Sequence, residues 1–160
     1  MLDHSAWLLA QTSRLVIGTG IANIYARDPL AMAAAQLTLA EQSGGRFLLG
    51  IGVSHVDLVE QLRGHAYEKP VPKMRAYLEA MEKAIYIAPR PAERPPTLIA
   101  ALGPKMLALA AARADGVHPY NVTPEHTAKA RQILGPGKLL CPEQMVLLEK
   151  IGRASYRETV

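Results

Sequence analysis

The chain has 160 residues, 49% of them hydrophobic, with a formal net charge of +4, one cysteine and only one Phe and one Trp. That is enough apolar material for one globular domain, and a lone Cys141 excludes an internal disulfide. Lys and Arg are dispersed without the basic and aromatic clustering of a nucleic-acid surface, and no apolar run approaches a membrane span, so neither nucleic acid nor membrane is expected as a partner.

Met1 to Gln11 carries Leu2, Ala6, Leu9 and Ala10 at near-helical spacing and reads as a helix packed on a sheet. Leu15, Val16 and Ile17 form a short apolar run stopped by Gly18-Thr19-Gly20, the pattern of a buried strand ending in an irregular turn. Asp28 then caps a helix with Pro29 at its first position, and this Ala-, Leu- and Met-rich segment runs to Glu41 before Ser43-Gly44-Gly45 ends it. Phe47 to Ile51 is a second strand, uninterrupted by charge. Val56 to Val71 is a polar connection able to cover a pocket, and helical spacing resumes from Pro72 to Ile87.

Pro89, Pro91, Pro95 and Pro96 make a stiff spacer. Thr97 to Ala101 is a third strand, Pro104 to Arg113 a helix and Gly116 to His118 a fourth strand. Thr123-Pro124 opens a helix to about Leu134, and Met145 to Leu148 is expected as a fifth strand. Alternating strands and helices give an α/β fold with a parallel sheet, and five strands are too few to close an eight-stranded barrel. No leader-like charged and apolar segment opens the chain, so a reducing, cytoplasmic setting is the expectation.

Parallel sheets hold ligands beyond the carboxyl ends of their strands, where several candidate residues fall. Leu102-Gly103-Pro104-Lys105 lies between strand and helix, where free amides and the helix dipole favour an anion; the same residues also serve as an ordinary tight turn. Gly18 to Ile21 is either a bulge presenting backbone to a flat ligand or a plain turn. His55 and His118 both follow strands and are candidate acids, bases or donors, with no acidic partner at metal-ligand spacing. Asn23, Tyr120 and Asn121 offer uncharged hydrogen-bonding groups at the same rim. His4, His65 and His126 are expected in solvent.

Taken together, GTGIANIYARDP (Gly18 to Pro29), SGGRFLLGIGVSH (Ser43 to His55), GHAYEKPV (Gly64 to Val71), AALGPKMLALAA (Ala100 to Ala111) and ADGVHPYN (Ala114 to Asn121) resemble the luciferase-like monooxygenase superfamily. Within it they are most similar to the coenzyme F420-dependent oxidoreductases of actinobacterial type, over about Leu9 to Glu149. The resemblance implies a TIM (β/α)8 barrel, here partial, in residues 1–149, with 150–160 a tail outside the pattern. It also implies that the chain lacks the first two strands and the end of the barrel. By the same resemblance F420, or alternatively FMN, lies at the carboxyl ends of the strands and exchanges hydride with a small organic substrate.

The resemblance places a non-prolyl cis peptide at Gly20-Ile21, behind the cofactor ring, with Gly52 and Val53 beside it. It makes Gly103 and Pro104, with the amides that follow, the phosphate contact, and puts Tyr120 or Asn121 near the cofactor chain. His55 or His118 is then the proton donor. The competing expectation is an inactive barrel fragment, a structural or interaction module whose open edges pair in a homo-oligomer or with a separate chain completing the barrel.

Overall fold

The computed structural model describes residues 1–146, which contain six strands and six helices. Every strand pairing is parallel. Strand β1 (Ile17–Gly18) and strand β2 (Ala22–Asn23) both pair with one edge of β3 (Phe47–Gly52), whose other edge carries β4 (Thr97–Ile99). Beyond β4 lie β5 (Gly116–Val117) and β6 (Leu139–Leu140). Helix α1 (Leu2–Gln11) precedes β1, α2 (Pro29–Gln42) links β2 to β3, and α3 (Val56–Glu60) with α4 (Pro70–Glu82) links β3 to β4. Helices α5 (Pro104–Arg113) and α6 (Pro124–Leu134) complete the alternation.

The core follows from the apolar strands. Phe47, Leu49 and Ile51 of β3 are fully buried, as are Ile99 of β4 and Val117 of β5, against Met32, Met74 and Leu107 from the helices. Each such side chain contributes about 1.5–3 kcal/mol by leaving water. The helix boundaries are written locally: Asp28 Oδ1 accepts from the Ala31 amide at 3.0 Å, and Thr123 Oγ1 accepts from the His126 amide at 3.3 Å. At the far end of α2, Gly44 and Gly45 take φ of +63° and +85°, a turn that other residues resist.

Several expectations are corrected. Leu15 and Val16 are not a buried strand: both are more than half exposed, because β1 is a sheet edge. The turn before Asp28 contains an additional strand, β2. Helix α3 interrupts the connection after His55, since Val59 is fully buried. Helix α4 stops at Glu82, leaving Ile85 and Ile87 almost wholly in solvent. The last described strand is Leu139–Leu140; Met145 and Val146 are exposed and unpaired, while Leu147, Leu148 and the 150–160 tail lie outside the described residues.

Candidate functional site

Between β1 and β2 the edge strand carries one extra residue. From Gly18 to Ala22 it advances four positions while β3 advances three, from Leu48 to Ile51, so the intervening Thr19-Gly20-Ile21 is a bulge. Thr19 is buried and pins it: its hydroxyl donates to Gly50 O at 2.7 Å and accepts from Gly50 N at 2.9 Å. A Cβ on Gly50 would stand 2.0 Å from the Thr19 carbonyl oxygen, so only glycine admits the bulge this closely. The Gly20-Ile21 peptide within it is cis, and the bulge delivers Ile21 to the rim.

Beyond the carboxyl ends of the strands lies a cavity of about 510 Å³, lined mainly by apolar groups. Gly20 and Ile21 form one wall, Val53, Ser54 and His55 another, and Ala100 to Gly103 with Met106 a third. His118, Tyr120 and Glu143 close it on the β5–β6 side, and Pro70 with Val71, at the start of α4, completes the lining. Ile21 and Gly103 therefore open on one hollow.

Of the residues singled out in the sequence, Gly20, Ile21, Val53, His55, Leu102, Gly103, His118 and Tyr120 are brought together here. Gly52, Pro104, Lys105 and Asn121 are not in the lining. Gly52 sits beneath Ile21, whose Cδ1 would lie 2.6 Å from an added Cβ, so this glycine seats the bulge and does not face the cavity. Lys105 and Asn121 point outward, Asn121 with φ +45°. Gly103, the residue before α5, has open space where a Cβ would stand. Pro104 removes one donor from the first turn, and Met106 N and Leu107 N both return to Gly103 O, so few amides remain there for a ligand.

His118 Nδ1 is 2.7 Å from the Cys141 carbonyl, its ring packs against Gly20, and its Nε2 stands 3.9 Å from Glu143 Oε2. Glu143 escaped sequence reading because the strand before it was sought six residues too late; placing it at Leu139–Leu140 puts Cys141-Pro142-Glu143 at the rim. His126 is not simply solvated, since its Nε2 meets Leu102 O at 2.8 Å. His55 remains exposed and precedes α3.

The wall at Pro70 is held by a strap. Tyr67 OH donates to Ser54 O at 3.2 Å, Tyr25 OH accepts from Glu68 N at 2.9 Å, and the two rings stack with centroids 5.8 Å apart. Burial, with Tyr25 adding to it, raises the Tyr67 phenol above its usual range. Ser54 takes φ +62°, so this hydrogen bond secures a turn that a serine seldom adopts.

Comparisons with known proteins fit this geometry. A Mycobacterium tuberculosis protein provisionally named coenzyme F420-dependent oxidoreductase is 32% identical across 82% of this chain and 47% of its own length. The 5,10-methylenetetrahydromethanopterin reductase of Archaeoglobus fulgidus is 35% identical across 69% of this chain and 38% of its own. The chain thus spans less than half the length of these curated relatives. Among solved structures, the monooxygenase RslO1 of Streptomyces bottropensis superposes with a TM-score of 0.71 at 20% identity, over 83% of this chain and 47% of that one. The F420-dependent tetrahydromethanopterin reductase of Methanopyrus kandleri gives 0.65 at 22% identity, over 85% and 48%. The parallel sheet is accordingly a half-barrel, matching about half of a TIM-barrel fold. With the luciferase-like monooxygenase profile matched across residues 4–134, through the bulge, the β3 turn and the Gly103 and His118 rims, the chain belongs to that family.

Proposed function

We propose that the cavity binds coenzyme F420, with FMN as the alternative, and that this chain forms the cofactor-holding part of an oxidoreductase acting on a small organic molecule. The observation that carries this reading is the convergence of the Ile21 bulge and the Gly103 turn on one apolar hollow whose volume suits a small-molecule ligand. When bound, the cofactor supplies the hydride chemistry. The chain's own residues bind and orient. Ile21, seated on Gly52, backs a flat ring and Val53 flanks it. The backbone around Gly103, with Pro104 beyond it, meets the phosphate, and Tyr120 lies along the tail. His55 holds the proton the reaction needs, since His118 turns Nδ1 to the Cys141 carbonyl and offers the cavity an acceptor at Nε2.

Titration of the full chain with F420 and with FMN, followed by absorbance and fluorescence, is expected to show saturable binding of one of them. Gly103→Val tests the phosphate contact. The added side chain meets open space at φ −86°, so the fold should be unaffected while affinity drops about tenfold, roughly 1.4 kcal/mol. No binding of either cofactor by the unaltered chain overturns the reading.

The half-exposed Leu15 and Val16 at the β1 edge favour a second reading, a structural module that pairs with another copy or with a chain completing the barrel. An obligate oligomer that takes up no cofactor would support it, and a monomer that binds F420 would refute it.

A further inference from the structure

We infer that the β5–β6 side of the cavity selects a molecule carrying a hydrogen-bond donor, an alcohol or a protonated amine, and disfavours carboxylates and phosphates, because His118 and Glu143 present two acceptors to one point. The inference rests on the cavity being a ligand site, as proposed above, and not on which cofactor it holds.

A carbonyl oxygen only accepts, so in the neutral ring, the form that leaves Nε2 free to accept, the 2.7 Å contact between His118 Nδ1 and Cys141 O places the proton on Nδ1. Nε2 is then left with a lone pair. Opposite it stands the Glu143 carboxylate, an acceptor at every oxygen, at 3.9 Å, which is too long for a hydrogen bond. Among the described residues neither Nε2 nor the carboxylate has a hydrogen-bond partner. Two facing acceptors with a gap between them are satisfied together by one donor group set between them.

The surroundings favour the same class of ligand. The cavity lining contains a single carboxylate and no Lys or Arg, so an anion brought to the His118 side meets like charge without a cation to offset it. Negative charge is favoured instead at the amino end of α5. The cavity is thereby polarised, with an anionic tail drawn to the Gly103 wall and a donor-bearing group drawn to the Glu143 wall.

Glu143 can be altered safely, because its backbone holds the loop: its N–H donates to Pro119 O at 2.8 Å and its carbonyl accepts from Val122 N at 3.4 Å. The test uses three probes that share one ring, cyclohexylamine, cyclohexanol and cyclohexanecarboxylate, titrated into the full chain with and without F420. The His118 ring resonances are followed by NMR. The amine is expected to bind most tightly, as a charge-assisted donor, with the alcohol next and the carboxylate at least about tenfold weaker than the amine. Glu143→Gln should weaken the amine about tenfold and the alcohol less, with the melting temperature unchanged.

Equal affinity for carboxylate and amine overturns the inference. So does an amine affinity that survives Glu143→Gln within twofold, or the failure of every probe to shift the His118 resonances. If the amine shifts His118 and depends on Glu143 while neither F420 nor FMN binds, the donor-selective site stands and the cofactor reading falls. If F420 binds and no donor probe does, the reverse holds.

Discussion

Gly50 and Gly52 occupy the same strand and are glycines for different reasons. At Gly50 the obstacle is backbone, the Thr19 carbonyl oxygen, which cannot move without undoing the bulge. Gly50→Ala is expected to destabilise the chain by about 1–3 kcal/mol, the range for overpacking a closed interior. At Gly52 the nearest atoms are the tip of Ile21, which can swing. Gly52→Ala should therefore cost less stability and push Ile21 into the cavity, so that cofactor affinity falls further than the melting temperature does. Thr19→Val keeps the shape but strips Gly50 N and O of their buried partner, at about 1–3 kcal/mol in urea unfolding. The sequence marks Gly18-Thr19-Gly20 as irregular but says nothing of its partner 31 residues away, since that contact exists only once β1 and β3 pair.

At the scale of elements, boundaries with a local chemical cause were legible and those set by tertiary contact were not. Pro29, Pro104 and Pro124 open α2, α5 and α6 where the Asp28-, Gly103- and Thr123-Pro pairs predict. Helix α4 ends earlier than its periodicity implies because Ile85 and Ile87 find no surface to cover. Strand β6 was missed because two residues carry too little pattern, and only its pairing with Gly116 and Val117 defines it.

Helix α4 also carries a pH prediction. Burial, and next the Asp28 carboxylate, push the Tyr77 phenol well above its ordinary range, with Arg27 opposing in part. The folded chain thus disfavours the phenolate, so this contribution is complete below the unfolded pKa of about 10 and is lost as pH rises beyond it. Tyr77→Phe removes the 2.7 Å hydrogen bond to Arg27 O, about 0.5–1.5 kcal/mol near neutrality. Its deficit against the unaltered chain should shrink above about pH 10 in urea unfolding.

For the molecule as a whole, composition and alternation made the parallel α/β fold readable and the family resemblance its partial barrel, while the exposure of Leu15 and Val16 was not readable, because Leu15-Val16-Ile17 looks the same at an edge as inside. An open parallel edge invites pairing. Concentration-dependent association in sedimentation is the expected behaviour of this chain, and Val16→Lys, at a position already 55% exposed, should reduce it without lowering the melting temperature.

Three side-chain fastenings of the fold sit at the opposite ends of the strands from the cavity. Arg46, just before β3, bonds to Leu9 O, Leu15 O and Ser43 O; Gln36 holds Pro95 O, Pro96 O and Thr97 Oγ1 ahead of β4; Asp115, before β5, takes Thr97 N and Arg94. Mutational drift at one pole therefore need not disturb the other. Descendants of such a chain can alter lining residues outside the Thr19–Gly50 pin, and with them the chemistry they recognise, while inheriting its architecture intact.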